Sequence, residues 1–166
     1  MREPHATSAP HAFTLTPDAG EIITVVGDRL RVLADSTTTG GAVVLFDSRC
    51  PPGGGPPLHR HSREDEHFVV LEGTALFQVD GSRFTLRPGG YALVRRGSVH
   101  SFSNPGTEPL RMLILCTPGG IEQPFRKADA LGRQHTHPPI EQLKAIFAEH
   151  GIEILGPPLA AGPDPI

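Results

Sequence analysis

The sequence predicts an all-β domain, an antiparallel sandwich or barrel of short strands. Three observations predict it. Apolar, β-rich runs of about four to seven residues recur at short spacing from Glu21 to Cys116. Turn-forming clusters separate them: Gly27-Asp28, Asp80-Gly81, Pro88-Gly89-Gly90 and Asn104-Pro105-Gly106. Glycine (19) and proline (18) are accordingly abundant among the 166 residues. A chain of this length fits one domain and buries roughly 70% of its unfolded surface, enough for a full core.

Residues 1–12 are rich in Pro, His, Ala and Ser and read as a flexible N-terminal arm, with His5 and His11 as solvated tail residues. The domain proper is placed at residues 13–120. From Glu21, EIITVVGDRLRVLAD holds two strands around Gly27-Asp28, and Ser36–Gly41 is a polar turn. Ala42–Arg49 is the next strand, favoured by its β-branched and aromatic residues. Pro51–Pro57 (PPGGGPP) cannot pair centrally, because its prolines lack donors, so it is a loop that delivers the chain to His59. Strands follow at Glu66–Glu72, Ala75–Val79, Arg83–Leu86, Tyr91–Val94, Ser101–Ser103 and Leu110–Cys116, with Arg96-Gly97 turning the chain toward His100. Residues 121–166 form an extension with one helix and a frayed tail. Gln123–Arg133 is read as one short helical turn. Pro139–His150 is the helix, with Ile140, Leu143, Ile146 and Phe147 on one face, Pro139 at its first position and Gly151 at its C-terminal cap. Ile152, Ile154 and Leu155 are expected to dock, and the chain to fray from Gly156.

Charge and hydropathy narrow the function. The net charge is −3 and no basic stripe is visible, so nucleic acid is not an expected partner. No apolar run approaches the ~18–20 residues of a membrane span, and MREPHATSAPHAF has no apolar h-region, so a cytoplasmic protein is expected. Cys50 and Cys116 do not make a disulfide framework and read as free thiols.

The chemistry gathers around GGGPPLHRHSREDEHFVVLEG, residues 53–73. His59 and His61 on a strand point to one face, and Glu66 follows five positions on. With His100 as fourth member they make a nitrogen and oxygen donor set for one divalent transition metal: Fe, Ni, Mn, Co, Cu or Zn. Alternation sends Asp65 and His67 to the opposite face. His135 and His137 form a second His-x-His, but Pro138-Pro139 follow with no carboxylate in register, so a loop or helix-cap role is expected. His150, in the last turn of the helix, complements its dipole. Asn104 serves its turn. The pocket wall is assigned to Phe68, Val70, Phe77, Tyr91, Leu93, Phe102, Met112 and Ile114, each of which serves equally as plain core. Arg49 faces either that pocket, where it would hold an anionic group, or the surface.

These residues resemble the cupin superfamily, with its motifs G(x)5HxH(x)4E(x)6G and G(x)5PxG(x)2H(x)3N. Gly53, His59, His61, Glu66 and Gly73 match the first, and Gly89, Gly97, His100 and Asn104 the second. Arg95 stands where the second motif has proline. The Thr-Gly-Gly turn, PPGGGPPLHRH, EDEHFVVLEG and the closing TPGG are similar to single-domain cupins of the quercetin 2,3-dioxygenase-like group, over about residues 35–120. The resemblance implies a jelly-roll β-barrel (double-stranded β-helix) and a homodimer. It also implies a dioxygenase acting with O2 on a small enol- or hydroxyl-bearing, flavonol-like substrate, with Glu66 as both ligand and general base. Two alternatives stay open: an isomerase, decarboxylase or lyase using the same donors as a Lewis-acid site, and a non-catalytic cupin that binds a small molecule.

Overall fold

The structure is a computed structural model and describes residues 6–9, 12–135 and 138–160. Its elements run β1 (Ala6–Ala9), β2 (Ala12–Leu15), β3 (Ile22–Val25), β4 (Asp28–Ala34), β5 (Val44–Cys50), β6 (Pro57–His61), β7 (Asp65–Glu72), β8 (Ala75–Val79), β9 (Ser82–Leu86), β10 (Tyr91–Val94), β11 (Val99–Ser103), β12 (Leu110–Thr117), α1 (Glu122–Gln134), α2 (Ile140–Glu149) and β13 (Ile152–Pro158). Two antiparallel sheets face each other as a cupin-type jelly roll. One has six strands in the order β10-β7-β12-β5-β4-β3 and the other five in the order β13-β6-β11-β8-β9.

Period-2 alternation builds the interior. Along β7 the buried residues are Glu66, Phe68 and Val70, and along β4 they are Asp28, Leu30 and Val32. Phe46, Phe68, Phe77 and Met112 fill the space between the sheets, each large side chain contributing roughly 1.5–3 kcal/mol by leaving water. Phe77 packs edge-on against Phe68, with ring centroids 5.2 Å apart.

Backbone constraints then aim β6 and β11 at each other. Gly55 lies so close to β11 that a Cβ there would sit 2.1 Å from the Phe102 carbonyl oxygen, so only glycine lets the loop pass. The Gly97 N–H donates to the His61 carbonyl at 2.7 Å, and Ser98 N–H closes the turn on the Arg95 carbonyl without the motif's proline. Asn104 staples the same end. Its amide donates to the Cys50 and Glu108 carbonyls, while its side-chain oxygen accepts from Gly106 N–H.

Four expectations are corrected. Residues 6–9, placed in a flexible arm, pair with residues 12–15 as a two-stranded antiparallel sheet. The loop of the β3–β4 hairpin is Val26-Gly27, one residue earlier than read, because Val25 pairs with Asp28. Two helices, not one, follow the barrel: α1 spans 13 residues because Pro124 sits in its first turn, where a missing N–H costs nothing. Residues 152–158, read as docked apolar groups running into a frayed tail, form β13 and extend the five-stranded sheet beside β6.

The helices pack beside the edge strand β3, α1 against β3 and α2 against α1 and β13. Glu122 of α1 is fully buried, accepting hydrogen bonds from Ser36 and Gly120 N–H, and Arg126 bridges Glu21 and Asp35. Phe125 stacks 5.8 Å from Phe46 and meets Phe147 of α2 at 6.2 Å. Phe147 is buried, but Ile140, assigned to the same apolar face, is 59% exposed. No described helix is long and apolar enough to cross a membrane. His5, His11 and His137 lie outside the described residues.

Candidate metal centre

β6 presents His59 and His61, β7 presents Glu66, and β11 presents His100, which pairs across the ladder with His59. All four side chains point inward and are buried. One donor atom from each lies within 4.8 Å of all the others, and the described residues hold no other such group of three or more. The three imidazoles cluster with centroids 4.3–5.5 Å apart and interplanar angles of 30–65°.

The hydrogen bonds orient the donors. His59 Nδ1 lies 2.8 Å from the Pro57 carbonyl and His100 Nδ1 3.1 Å from that of Ser98. A carbonyl only accepts, so each Nδ1 carries the hydrogen. That leaves Nε2 of both rings facing the centre, as in histidines held for a metal by an outer hydrogen bond. His100 Nε2 meets Glu66 Oε2 at 2.7 Å. His61 Nε2 is 3.5 Å from the same oxygen and Nδ1 is 3.4 Å from Glu64 Oε2, yet neither nitrogen makes a hydrogen bond. A buried unpaired nitrogen costs on the order of 1–3 kcal/mol. The orphaned Nε2 therefore fits a bound cation, and so does the donor set, three neutral imidazoles with one carboxylate. This group of three histidines and one glutamate could hold a metal ion.

Electrostatics point the same way. Burial raises the Glu66 carboxyl, but the His61 charge and the His100 hydrogen bond outweigh it and leave Glu66 well below the usual carboxylate range. Burial and the neighbouring His100 and His61 push His59 down to about 3, so it stays neutral and ready to ligate. For His100, burial lowers the value but the Glu66 hydrogen bond and charge prevail, and it is raised. Burial beside Glu66 drives the Cys116 thiol far up; its Sγ sits 3.6 Å from Glu66 Oε1 and serves as a neutral donor.

Beside the cluster lies a cavity of about 70 Å³ lined by His59, Glu66, His100, Phe68, Phe102 and Ile114. The tip of the β3–β4 hairpin, Val25 and the half-exposed Val26, and Phe125 of α1 complete its lining. Val26 holds φ 50°, an uncommon conformation for a β-branched residue, at that tip.

The other assigned residues distribute as follows. Phe68, Phe102 and Ile114 line the cavity; Phe77, Val70 and Met112 are fully buried core behind it. Tyr91 and Leu93 are a correction. The inward parity of β10 belongs to Ala92 and Val94, so Tyr91 is 55% exposed and bonds His67 Nδ1 on the outer surface. Arg49 is exposed. Asp65 faces outward, held by Arg96 N–H and guanidinium. His135 is exposed past the end of α1, and His150 caps α2 by a 3.0 Å contact with the Ile146 carbonyl. Cys50 and Cys116 are both free and buried. Two acids were missed. Glu64 is buried against His61, and the alternation that places Glu66 inward places Glu64 inward too. Asp28 is buried and lines the cavity, hidden by its reading as a turn residue.

Comparison with known proteins converges on one family. The cupin domain family model matches residues 46–116. The quercetin 2,3-dioxygenase of Bacillus subtilis strain 168 is 31% identical over 103 residues, 61% of this chain and 30% of that protein. A mannose-1-phosphate guanylyltransferase of Klebsiella pneumoniae is 37% identical over 84 residues, 49% of this chain and 18% of that protein. The chain thus spans less than a third of the length of either curated relative. Among solved structures, an RmlC-like cupin from Shewanella frigidimarina superposes with a TM-score of 0.57 at 17% identity, covering 65% of this chain and 92% of that one. With both motifs, the two-sheet barrel and the matched region in agreement, residues 46–116 are a cupin domain.

Proposed function

We propose that this cupin is a metal-dependent dioxygenase that binds a small enol- or hydroxyl-bearing substrate at His59, His61, Glu66 and His100. The observation that carries the reading is the opening of this donor group onto a cavity that is apolar apart from Asp28, with Glu66, His59 and His100 in its wall. A bound divalent ion would supply Lewis acidity to a coordinated substrate oxygen. Glu66, held as a carboxylate, takes the enol or hydroxyl proton on its carboxyl oxygen. Phe68, Phe102 and Ile114 flank the substrate body and exclude water. The similarity to a quercetin 2,3-dioxygenase supports the oxygenase class.

Size sets the substrate range. At about 70 Å³ the cavity is under half the ~150 Å³ that an apolar cavity offers to benzene. A flavonol would keep only its hydroxyl-bearing edge inside, with its rings outside the cavity. Smaller enols enter whole. That observation also favours a second reading, in which the same residues stabilise a small enolate without O2, as in an isomerase, decarboxylase or lyase.

The test is O2 uptake by metal-reconstituted protein across a panel of flavonols, β-diketones and small hydroxyketones, run in parallel under argon. Consumption of O2 in step with substrate loss is expected. Turnover that proceeds equally under argon would overturn the dioxygenase reading in favour of the second.

A further inference from the structure

Asp28 is the one acid in the cavity that the metal group does not use. It opens β4, immediately after the Val26-Gly27 turn, and is only 7% exposed. It lines the same cavity as His59, Glu66 and His100. Its Oδ1 is buried without a hydrogen-bond partner. The Cys50 thiol lies beside the carboxyl, but its own hydrogen bond goes to the Pro51 carbonyl at 3.6 Å. A buried carboxyl with an unsatisfied oxygen is costly and needs a reason. Leu30, next inward on the same strand, and Phe46 are apolar and make no use of it.

We propose that Asp28 is a substrate-binding residue that hydrogen-bonds a hydroxyl on the end of the substrate remote from the metal group. This rests on the reading that His59, His61, Glu66 and His100 hold a metal and bind the substrate's enol or hydroxyl oxygen. Asp28 and Glu66 stand on the same sheet, with β12 and β5 between their strands. The register also offsets them along the strands, since Glu66 lies in the row of Cys116 and Val44 while Arg29, next to Asp28, pairs with Arg49, so the two carboxyls line the cavity from separate places. Between them the wall is Phe68, Phe102, Ile114 and Leu30. The complementary molecule therefore has an oxygen at each end and an apolar body between. Charge adds a restriction. Among the described residues lining the cavity none is Lys or Arg, so nothing there neutralises a carboxylate or phosphate. Asp28 selects a neutral hydroxyl and rejects an anionic end.

Hydroxamates test this because their CO–NHOH end chelates the metal while the other end is varied. The probes are ω-hydroxyalkyl hydroxamates from 3-hydroxypropiono- to 6-hydroxyhexanohydroxamate, their methyl-ended isosteres from butyro- to heptanohydroxamate, and ω-carboxy analogues of equal length. Binding is followed optically on the Co(II)-loaded protein, with metal content measured in every sample. For wild type the hydroxyl-ended ligand of best length is expected to bind about tenfold more tightly than its methyl isostere, the worth of one hydrogen bond to a carboxyl. The carboxy analogue is expected to bind most weakly. In Asp28→Ala, at unchanged metal content, the hydroxyl-to-methyl ratio falls to about one. Asp28→Asn, nearly isosteric, keeps a preference for the hydroxyl but loses the rejection of the carboxylate. A structural role for Asp28 would move all affinities together and leave the ratio alone. No hydroxyl preference at any length in wild type, or an undiminished ratio in Asp28→Ala, overturns the proposal while leaving the metal site standing. Failure of wild type to hold Co(II), or to bind any hydroxamate, overturns the metal-site reading and this proposal with it.

Discussion

Replacing Asp28 by Asn stabilises the metal-free protein at alkaline pH. Burial pushes the Asp28 carboxyl up from 3.8 to about 6, only partly offset by the Cys50 thiol. Between those values the folded chain holds a proton that the unfolded chain has released. Stability from this group is complete below the unfolded value and is lost as pH rises through about 6. A shift of about two units at ~1.36 kcal/mol each makes the loss about 3 kcal/mol at pH 8. Asn carries no charge to bury, so the variant escapes that loss, although its amide is no better partnered. In a chain of this size ~1 kcal/mol moves Tm by about 2–4 °C, so the upper limit of the gain is about 6–12 °C. The other titratable groups facing this space, Cys50, His59, Glu66 and His100, are the same in both proteins and cancel in the difference. The assay is a pair of thermal melts by circular dichroism at intervals from pH 4 to pH 8, with chelator present. The gap should be near zero at pH 4 and grow to its maximum by pH 8. A gap that is absent, negative or independent of pH would refute the claim that Asp28 is a costly buried charge.

Glu64→Gln should weaken metal binding by roughly 10–100-fold, measured by chelator competition, because it takes the charge from the carboxylate beside His61 Nδ1. Unchanged affinity would make Glu64 a bystander. His135→Ala should leave metal content at the wild-type level, since His135 is exposed and outside the group of His59, His61, Glu66 and His100; a loss would mean that the second His-x-His ligates.

The strands and much of the donor group were legible because both follow period 2. His59, His61 and Glu66 sit at positions that alternation along a half-buried strand sends inward, whereas β11 is buried at four successive residues and His100 was legible only from its motif spacing. The misreadings have local causes. Gln123–Arg133, read as one short turn, lies in a 13-residue helix whose Pro124 is compatible with it because it sits in the first turn. Tyr91 and Leu93 form an apolar run with Ala92 and Val94, and an unbroken run carries no parity; the pairing of β10 with β7 decides it. The one-residue error at the β3–β4 hairpin had the largest consequence. Reading Asp28 as a turn residue placed it in solvent, whereas the Val26-Gly27 loop makes it the first inward side chain of β4. β13 was invisible for a different reason: its proline and glycine content reads as coil, and its pairing with β6 is a long-range contact.

The central claim is that His59, His61, Glu66 and His100 hold one metal ion. Elemental analysis of the tag-free protein, beside the His59→Ala/His61→Ala double variant, tests it most directly. About one transition metal per chain in the wild type and none in the folded double variant is the predicted result. No metal in the wild type after reconstitution with each candidate ion, or full occupancy in the double variant, would contradict it.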